Sequence, residues 1–386
     1  MTRMSGTSLQ PLKTLSLYNL IPRSLLLHYL RLGLGAETDG LNAGEGSDWN
    51  AVYEMALRQD VLAFVFDGYA REYEAGLTVP DMPVALKKQW IGAVMQMEAK
   101  ALRQQQKSEA MARLFAENGI RTYVLKGRVI SECYPRPEHR LSADMDCFLL
   151  PADETEPDVW EKGNSLMEEA GHRVSRSFYK NSSFHMKGLM VENHRFLTPF
   201  RGNKQLKALE MKLQSLLRAD KGTDKFEGTN LYRPPVLVSA LFLIEHAYSH
   251  FLHEGLTLKH ITDWMMFLRR HGDALDWKAF DEAVDTYGFR RFYDAYVHVG
   301  EFVMGTRRDL SAPEQRMMDS VWEGLDLHDT VKGVKGKLNL VGNTLRAAWK
   351  YRLFSPISMP HALWIQVKGV LFQRHPVLKL GNNNSL

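Results

Sequence analysis

Two hydrophobic periods alternate along this chain of 386 residues. From residue 48 to about 118 the pattern is helical. Its clearest stretch, Trp90 to Asn118, places Ile91, Val94, Met95, Ala99, Leu102, Ala110, Leu114 and Phe115 at the three-and-four spacing of one helix face. Asn118-Gly119 predicts the stop, since glycine accepts the positive φ that follows a last turn. The period then shortens. Thr122-Tyr123-Val124-Leu125 is β-branched and aromatic, and a second strand is predicted from near Ser142 to Leu150. Val159 to Ala170 reads as a helix closed by Gly171, and Arg173–Phe178 and Leu189–Phe196 read as two more strands.

The helical period returns from Leu206 to Gly305. Pro234-Pro235 suits a first helical turn, where the missing N–H costs nothing, and the helix behind it carries Leu237, Leu241, Ile244, His246, Tyr248 and Phe251. Further helices are predicted at Leu258–Arg270, Trp277–Tyr287 and Phe289–Met304. At the other end, the apolar run Leu17 to Leu34 is interrupted by Pro22, Arg23, His28 and Arg31, the rhythm of an amphipathic helix and not of a signal peptide. The expected fold class is therefore α+β: a small mixed-sheet core flanked by N- and C-terminal helical regions. The boundaries are 1–118 (helical), 119–202 (core), 203–305 (helical) and 306–386 (basic extension).

Composition adds little until it is divided. Apolar residues make up 45% and charged residues 24%, an ordinary globular balance. No stretch reaches the length of about 18 uncharged apolar residues that a membrane span needs. Two cysteines in 386 residues exclude a disulfide framework, so a reducing, cytoplasmic setting is expected. The net charge of +4 conceals an asymmetry. Between Val331 and Leu386 stand nine basic residues and no acidic one, which leaves 40 basic and 45 acidic groups in the remainder. Trp349, Tyr351, Phe354, Trp364 and Phe372 interleave with those cations, and Ala362 to Gln373 has amphipathic spacing. Such a segment suits either an anionic partner, nucleic acid or membrane, or a terminal helix docked on the acidic body.

The chemistry concentrates in one stretch: Leu125-Lys126-Gly127, then Tyr134-Pro135, then Arg140-Leu-Ser142-Ala-Asp144-Met-Asp146 running into Cys-Phe-Leu-Leu150. Carboxylates at i and i+2 of a strand share a face, where they repel unless a cation lies between them. Oxygen ligands with open positions suit Mg²⁺ or Mn²⁺. Lys126, Gly127, Arg140 and Ser142 suit phosphate oxygens. A third carboxylate is expected on a neighbouring strand, and Glu192 in Val-Glu-Asn-His194 is the candidate.

These residues resemble the uncharacterised nucleotidyltransferase family of the DNA polymerase β-like superfamily. Gly171-His172, Glu192-x-His194, His246-x-x-x-His250, Leu258-Lys-His-Ile-Thr-Asp263 and Asp276-Trp277 resemble its further motifs in the right order, over roughly residues 50–305. The resemblance implies that Asp144 and Asp146 hold Mg²⁺, with Glu192 as third carboxylate or general base. It places Gly127 at the turn where backbone N–H groups approach a triphosphate. His194, His250 and Asp263 become groups beside the acceptor or behind the metal ligands. Where the wider superfamily has Gly-Gly or Gly-Ser, this chain has Gly127-Arg128, so Lys126, Arg140 or Ser142 would take over the phosphate contact.

The activity implied is in-line attack by an acceptor hydroxyl or phosphate on the α-phosphorus of an NTP, ATP by default, with release of pyrophosphate. Two alternatives stand beside it. His246, His250 and His253 lie at i, i+4 and i+7 and, with Asp263, could bind the Zn²⁺ or Fe of a hydrolase. The chain could also be a nucleotide-binding scaffold with a decayed site.

Overall fold

A mixed five-stranded sheet carries the Asp-Met-Asp segment on a central strand. The computed structural model describes residues 12–36, 48–76, 81–153, 158–176, 179–200, 202–324 and 347–364. In chain order these form α1 (Leu12–Gly33), α2 (Trp49–Arg58), α3 (Leu62–Glu74), α4 (Val84–Glu117), β1 (Ile120–Val124), α5 (Arg128–Ser131), β2 (Asp144–Pro151), α6 (Trp160–Glu169), β3 (Asn181–Met186), β4 (Leu189–His194) and α7 (Lys204–Ala219). Then follow β5 (Leu231–Tyr232), α8 (Val236–His253), α9 (Leu258–His271), α10 (Trp277–Thr286), α11 (Arg290–Met304), α12 (Ala312–Glu323) and α13 (Ala348–Phe354).

The sheet order is β3-β4-β2-β1-β5. Strands β1/β2 and β3/β4 are antiparallel, whereas β2/β4 and β1/β5 are parallel. The edge strand β5 thus joins from beyond residue 202. Alternation along β2 sorts its side chains. Leu149 points to α4 and α6, where a Cβ on Gly163 would lie 2.3 Å from Leu149 Cδ1 and 3.7 Å from the Phe115 ring. Asp144 and Asp146, of opposite parity, share the other face. Their neighbour His194 meets the Phe242 ring of α8 edge-on at 6.2 Å, so the carboxylate face looks toward α8.

Local chemistry starts the helices where expected. Pro235 precedes α8, the Asp48 carboxylate accepts from Ala51 N at 3.0 Å, and Asn203 accepts from Gln205 N and Leu206 N. Thr257 and His260 cap α9 reciprocally. The helix predicted over Leu17–Leu34 matches α1 to within one residue at its end, and α1 crosses α3 so closely that a Cβ on Gly68 would sit 1.9 Å from the Tyr29 carbonyl oxygen.

Three expectations differ from the structure. The strand predicted at Arg173–Phe178 is replaced by β3 at Asn181–Met186, which turns into β4 through Lys187-Gly188; Ser175 makes only an isolated bridge to Ser183. Helix α4 buries Leu86, Trp90, Val94, Ser108, Met111, Ala112 and Phe115, while Ile91, Met95 and Leu102 are exposed, so its inward stripe is rotated from the one predicted. In the basic extension, residues 325–346 and 365–386 lie outside the described residues, and with them all but the first three residues of the helix expected at Ala362–Gln373. The part between is docked: Tyr351 and Phe354 are buried, and the Lys350 ammonium lies 5.0 Å over the Phe251 ring. No helix among the described residues is long and apolar enough to cross a membrane.

Candidate active site

The parallel register of β2 and β4 pairs Asp146 with Glu192 and Phe148 with His194. Register partners in a sheet point the same way, so Asp144, Asp146, Glu192 and His194 share one face. Asp146 is buried, while the Glu192 side chain keeps about a third of its surface exposed, at 34%. His194 Nε2 lies 2.8 Å from Asp146 Oδ1 and 3.6 Å from Glu192 Oε2, and its Nδ1 faces the Phe196 carbonyl at 3.2 Å. An acceptor at each nitrogen favours a proton on each, the imidazolium form. Burial and Lys180 push its pKa down, but the hydrogen bonds to Asp146 and Glu192 outweigh them and raise it.

That cation reshapes the carboxylates. Burial alone would raise Asp146, yet the His194 hydrogen bond and charge, with Lys126 and Lys180, hold it well below the usual carboxylate range. Asp144 moves the other way, raised by burial and then by Asp146, with Lys126 and Lys259 opposing. Asp146 and Glu192 each offer a carboxylate oxygen, and these lie within 4.8 Å of one another with His194 beside them as a donor. An oxygen-rich group that already recruits an imidazolium for neutralisation fits a hard divalent cation.

The Gly127 turn stands beside this face. Gly127 has φ 67° and ψ −106°, and its carbonyl accepts from Ser131 N at 2.9 Å and Ser131 Oγ at 3.0 Å. A Cβ there would lie 3.3 Å from Ser142 Oγ. Arg140, expected to meet phosphate, is buried and occupied instead. Nε and Nη2 donate to Asp263 at 2.8 and 2.6 Å, and Nη1 donates to Ser142 Oγ at 2.9 Å and the Gly127 carbonyl at 3.4 Å. With four of its five N–H groups engaged, it is a strut between the turn and α9. Asp263, expected near the acceptor, is the other end of that strut and also accepts from Tyr134 OH at 2.8 Å. A cavity of about 320 Å³ opens beside Gly127, Ser142 and Asp144, walled on the far side by Leu102, Gln104 and Gln105 of α4.

Lys126 Nζ donates to His246 Nε2 at 2.5 Å. His250 pairs with Glu254 at 3.1 Å and lies tilted against His246 and His260, at ring separations of 4.4 and 4.9 Å. His253, expected on the same face, instead has Nδ1 against the Ser249 carbonyl and Nε2 toward Tyr351 OH. His260 from α9 takes its place, and the three rings offer ligand atoms within 4.8 Å. Two of them have already spent their lone pair. His246 Nε2 accepts from Lys126, and His260 Nδ1 accepts from Thr257 N at 3.1 Å. The trio therefore does not present three free imidazole ligands.

Sequence reasoning missed Lys180, Glu245, Lys259 and His260. Glu245 did leave a signal, as the lone carboxylate within the apolar first three turns of α8. Lys259 and His260 stand inside a segment already singled out, but nothing local shows that the first turn of α9 meets Lys126.

None of the curated proteins and none of the solved structures compared with the chain matches it. One family model does. The model of the uncharacterised nucleotidyltransferases matches residues 45–304, a span that holds the sheet, the carboxylate face and the Gly127 turn together with α8 and α9, and the chain belongs to that family.

Proposed function

We propose that this nucleotidyltransferase moves an NMP group from an NTP, ATP by default, to an acceptor hydroxyl or phosphate, with Mg²⁺ or Mn²⁺ held by Asp144, Asp146 and Glu192. The observation that carries the reading is the register of Asp146 with Glu192 on the parallel pair β2/β4, with Asp144 on the same face. When bound, the ion supplies charge neutralisation of the phosphates and acidifies the attacking hydroxyl. The chain's own residues do the rest. Lys126, Ser142 and the backbone around Gly127 hold phosphate oxygens, and Arg140 fixes that turn against α9. Glu192, more exposed than Asp146, receives the proton as the acceptor oxygen attacks the α-phosphorus and the bond to the β-phosphate breaks. Asp146 stays charged against His194. The cavity beside Asp144 holds the nucleoside or acceptor out of bulk water.

The wider reading keeps the divisions 1–118, 119–202, 203–305 and 306–386, with β5 lent to the core by the third. Cys133 and Cys147 are both buried and free, which supports a reducing, cytoplasmic setting. The nine cations of 331–386 support an anionic partner.

The test is incubation with each α-labelled NTP and a metabolite or lysate pool, with and without Mg²⁺. Label should move to an acceptor with the wild-type chain. Transfer that persists undiminished in the double variant Asp144→Ala/Asp146→Ala would refute the proposal.

A further inference from the structure

Lys259 is a cation that carboxylates act on only from a distance. It stands in the first turn of α9, partly buried, and its ammonium makes no ion pair among the described residues. Asp60 and Asp263 both act on it, and Asp263 gives one oxygen to Arg140 Nη2 and shares the other between Arg140 Nε and Tyr134 OH. Burial, reinforced by Arg140, pushes the Lys259 pKa down to about 8, so the group stays mostly charged near neutrality. Charges removed from water normally find a partner. One that forms no close ion pair, inside a cluster of further donors, points to an anion that arrives from outside.

The surrounding donors have been fixed by the fold. His260 Nδ1 accepts the Thr257 N–H, so its remaining proton sits on Nε2 as a donor. Lys126 uses one N–H on His246 and keeps two others. Lys126 and Lys259 both act on the Asp144 carboxylate, so the cluster borders the carboxylate face. Neither His246 nor His260 adds a competing positive charge, because burial, with Lys126 at His246 and His250 at His260, holds both rings neutral.

We infer that Lys259, with Lys126 and the Nε2–H of His260, forms the pocket that takes the β- and γ-phosphates of the NTP and holds the leaving pyrophosphate. The inference rests on the nucleotidyl-transfer reading and adds to it the α9 side of the phosphate site. In-line attack at the α-phosphorus releases pyrophosphate with the bonding electron pair on its bridging oxygen. Cations waiting there stabilise the charge that develops as that bond breaks.

The test is competition binding of ATP, AMP, inorganic pyrophosphate and inorganic phosphate, each with Mg²⁺, to the full chain and to Lys259→Met and Lys259→Arg. Circular dichroism and thermal melting of each variant establish that it is folded. Loss of a charge-assisted contact should weaken ATP and pyrophosphate by about 10- to 100-fold in Lys259→Met. AMP should change less than about threefold, and Lys259→Arg should recover part of the loss. Unchanged pyrophosphate affinity in Lys259→Met, or an equal loss for AMP, overturns the inference. A loss confined to inorganic phosphate would move the pocket to a phosphorylated acceptor and overturn it too. Wild-type chain that binds neither ATP nor pyrophosphate refutes the underlying nucleotidyl-transfer reading instead, so the two failures are distinct.

Discussion

Arg140 grips Asp263 with both ends of its guanidinium, Nε to Oδ1 at 2.8 Å and Nη2 to Oδ2 at 2.6 Å, across 123 residues of chain. The pair ties the approach to β2 to the middle of α9, and Arg140 Nη1 carries the tie on to the Gly127 turn. Both groups are buried, and truncating one strands the other's charge. Arg140→Ala should cost about 3–5 kcal/mol in urea unfolding. The double variant Arg140→Met/Asp263→Leu should recover much of that loss, because it removes both charges. A single Arg140→Ala that unfolds at the wild-type midpoint would show that the strut holds nothing.

Gly127 makes the second prediction. Its φ of 67° with ψ of −106° lies where a side chain is strained, and a Cβ would press on Ser142 Oγ at 3.3 Å. Gly127→Ala should destabilise by about 1–3 kcal/mol. It should also raise the KM for NTP, because the N–H groups of the turn shift. Gly119, also at positive φ, has open space where its Cβ would go, so Gly119→Ala provides a control. It should lose stability through backbone strain alone and leave KM unchanged. Equal effects of both variants on KM would detach the Gly127 turn from the nucleotide.

Much of this fold was legible because the deciding forces are local. Helices α6 to α11 and strands β1, β2 and β4 carry strong periods and clear stops. Strand β3, Asn-Ser-Ser-Phe-His-Met, puts polar Ser182 on its inward face beside Phe184 and Met186, where Ser182 joins the buried network of Asn164 and Asn193. Its apolar alternation is therefore cut to Phe184 and Met186, too short to mark a strand. Two residues of β5 are too short to show any period. The carboxylate pair and its register partner Glu192 could be found because strand alternation places them. The role of Arg140 was misread, since its partner lies 123 residues away and an arginine near an acidic motif looks the same whether it meets phosphate or a buried aspartate. Lys259 was invisible for the same reason: its character is set by what Arg140 has already taken.

The crossing of α1 and α3 has no room for a side chain. A Cβ on Gly68 would sit 1.9 Å from the Tyr29 carbonyl oxygen, and one on Gly33 would sit 1.8 Å from that of Phe64. Backbone cannot swing aside as a rotamer can, so the helices would have to separate. Gly68→Ala should therefore cost about 3 kcal/mol, read as a lowered thermal midpoint. Gly92→Ala on α4, which meets nothing within 4 Å, should be neutral or slightly stabilising. If Gly68→Ala and Gly92→Ala melted together, the close crossing would be wrong.

Glu245 contributes its own pH dependence to stability. It is buried in α8, and its Oε1 has no hydrogen-bond partner among the described residues. Burial pushes its carboxyl up to about 7, with Lys180 opposing. An unfolded glutamate titrates near 4.3. The folded state therefore binds the proton more tightly, and its advantage is complete below pH ~4.3. Stability is lost as pH rises from there through about 7, after which the loss is constant; over that window it is on the order of 3 kcal/mol. Glu245→Gln, which keeps the shape and carries no titrating charge, should remove this slope. Urea midpoints of the variant and the wild type should agree near pH 4 and separate progressively toward pH 8, with the variant the more stable. Parallel pH profiles would mean that the Glu245 carboxylate is already accommodated in the folded chain.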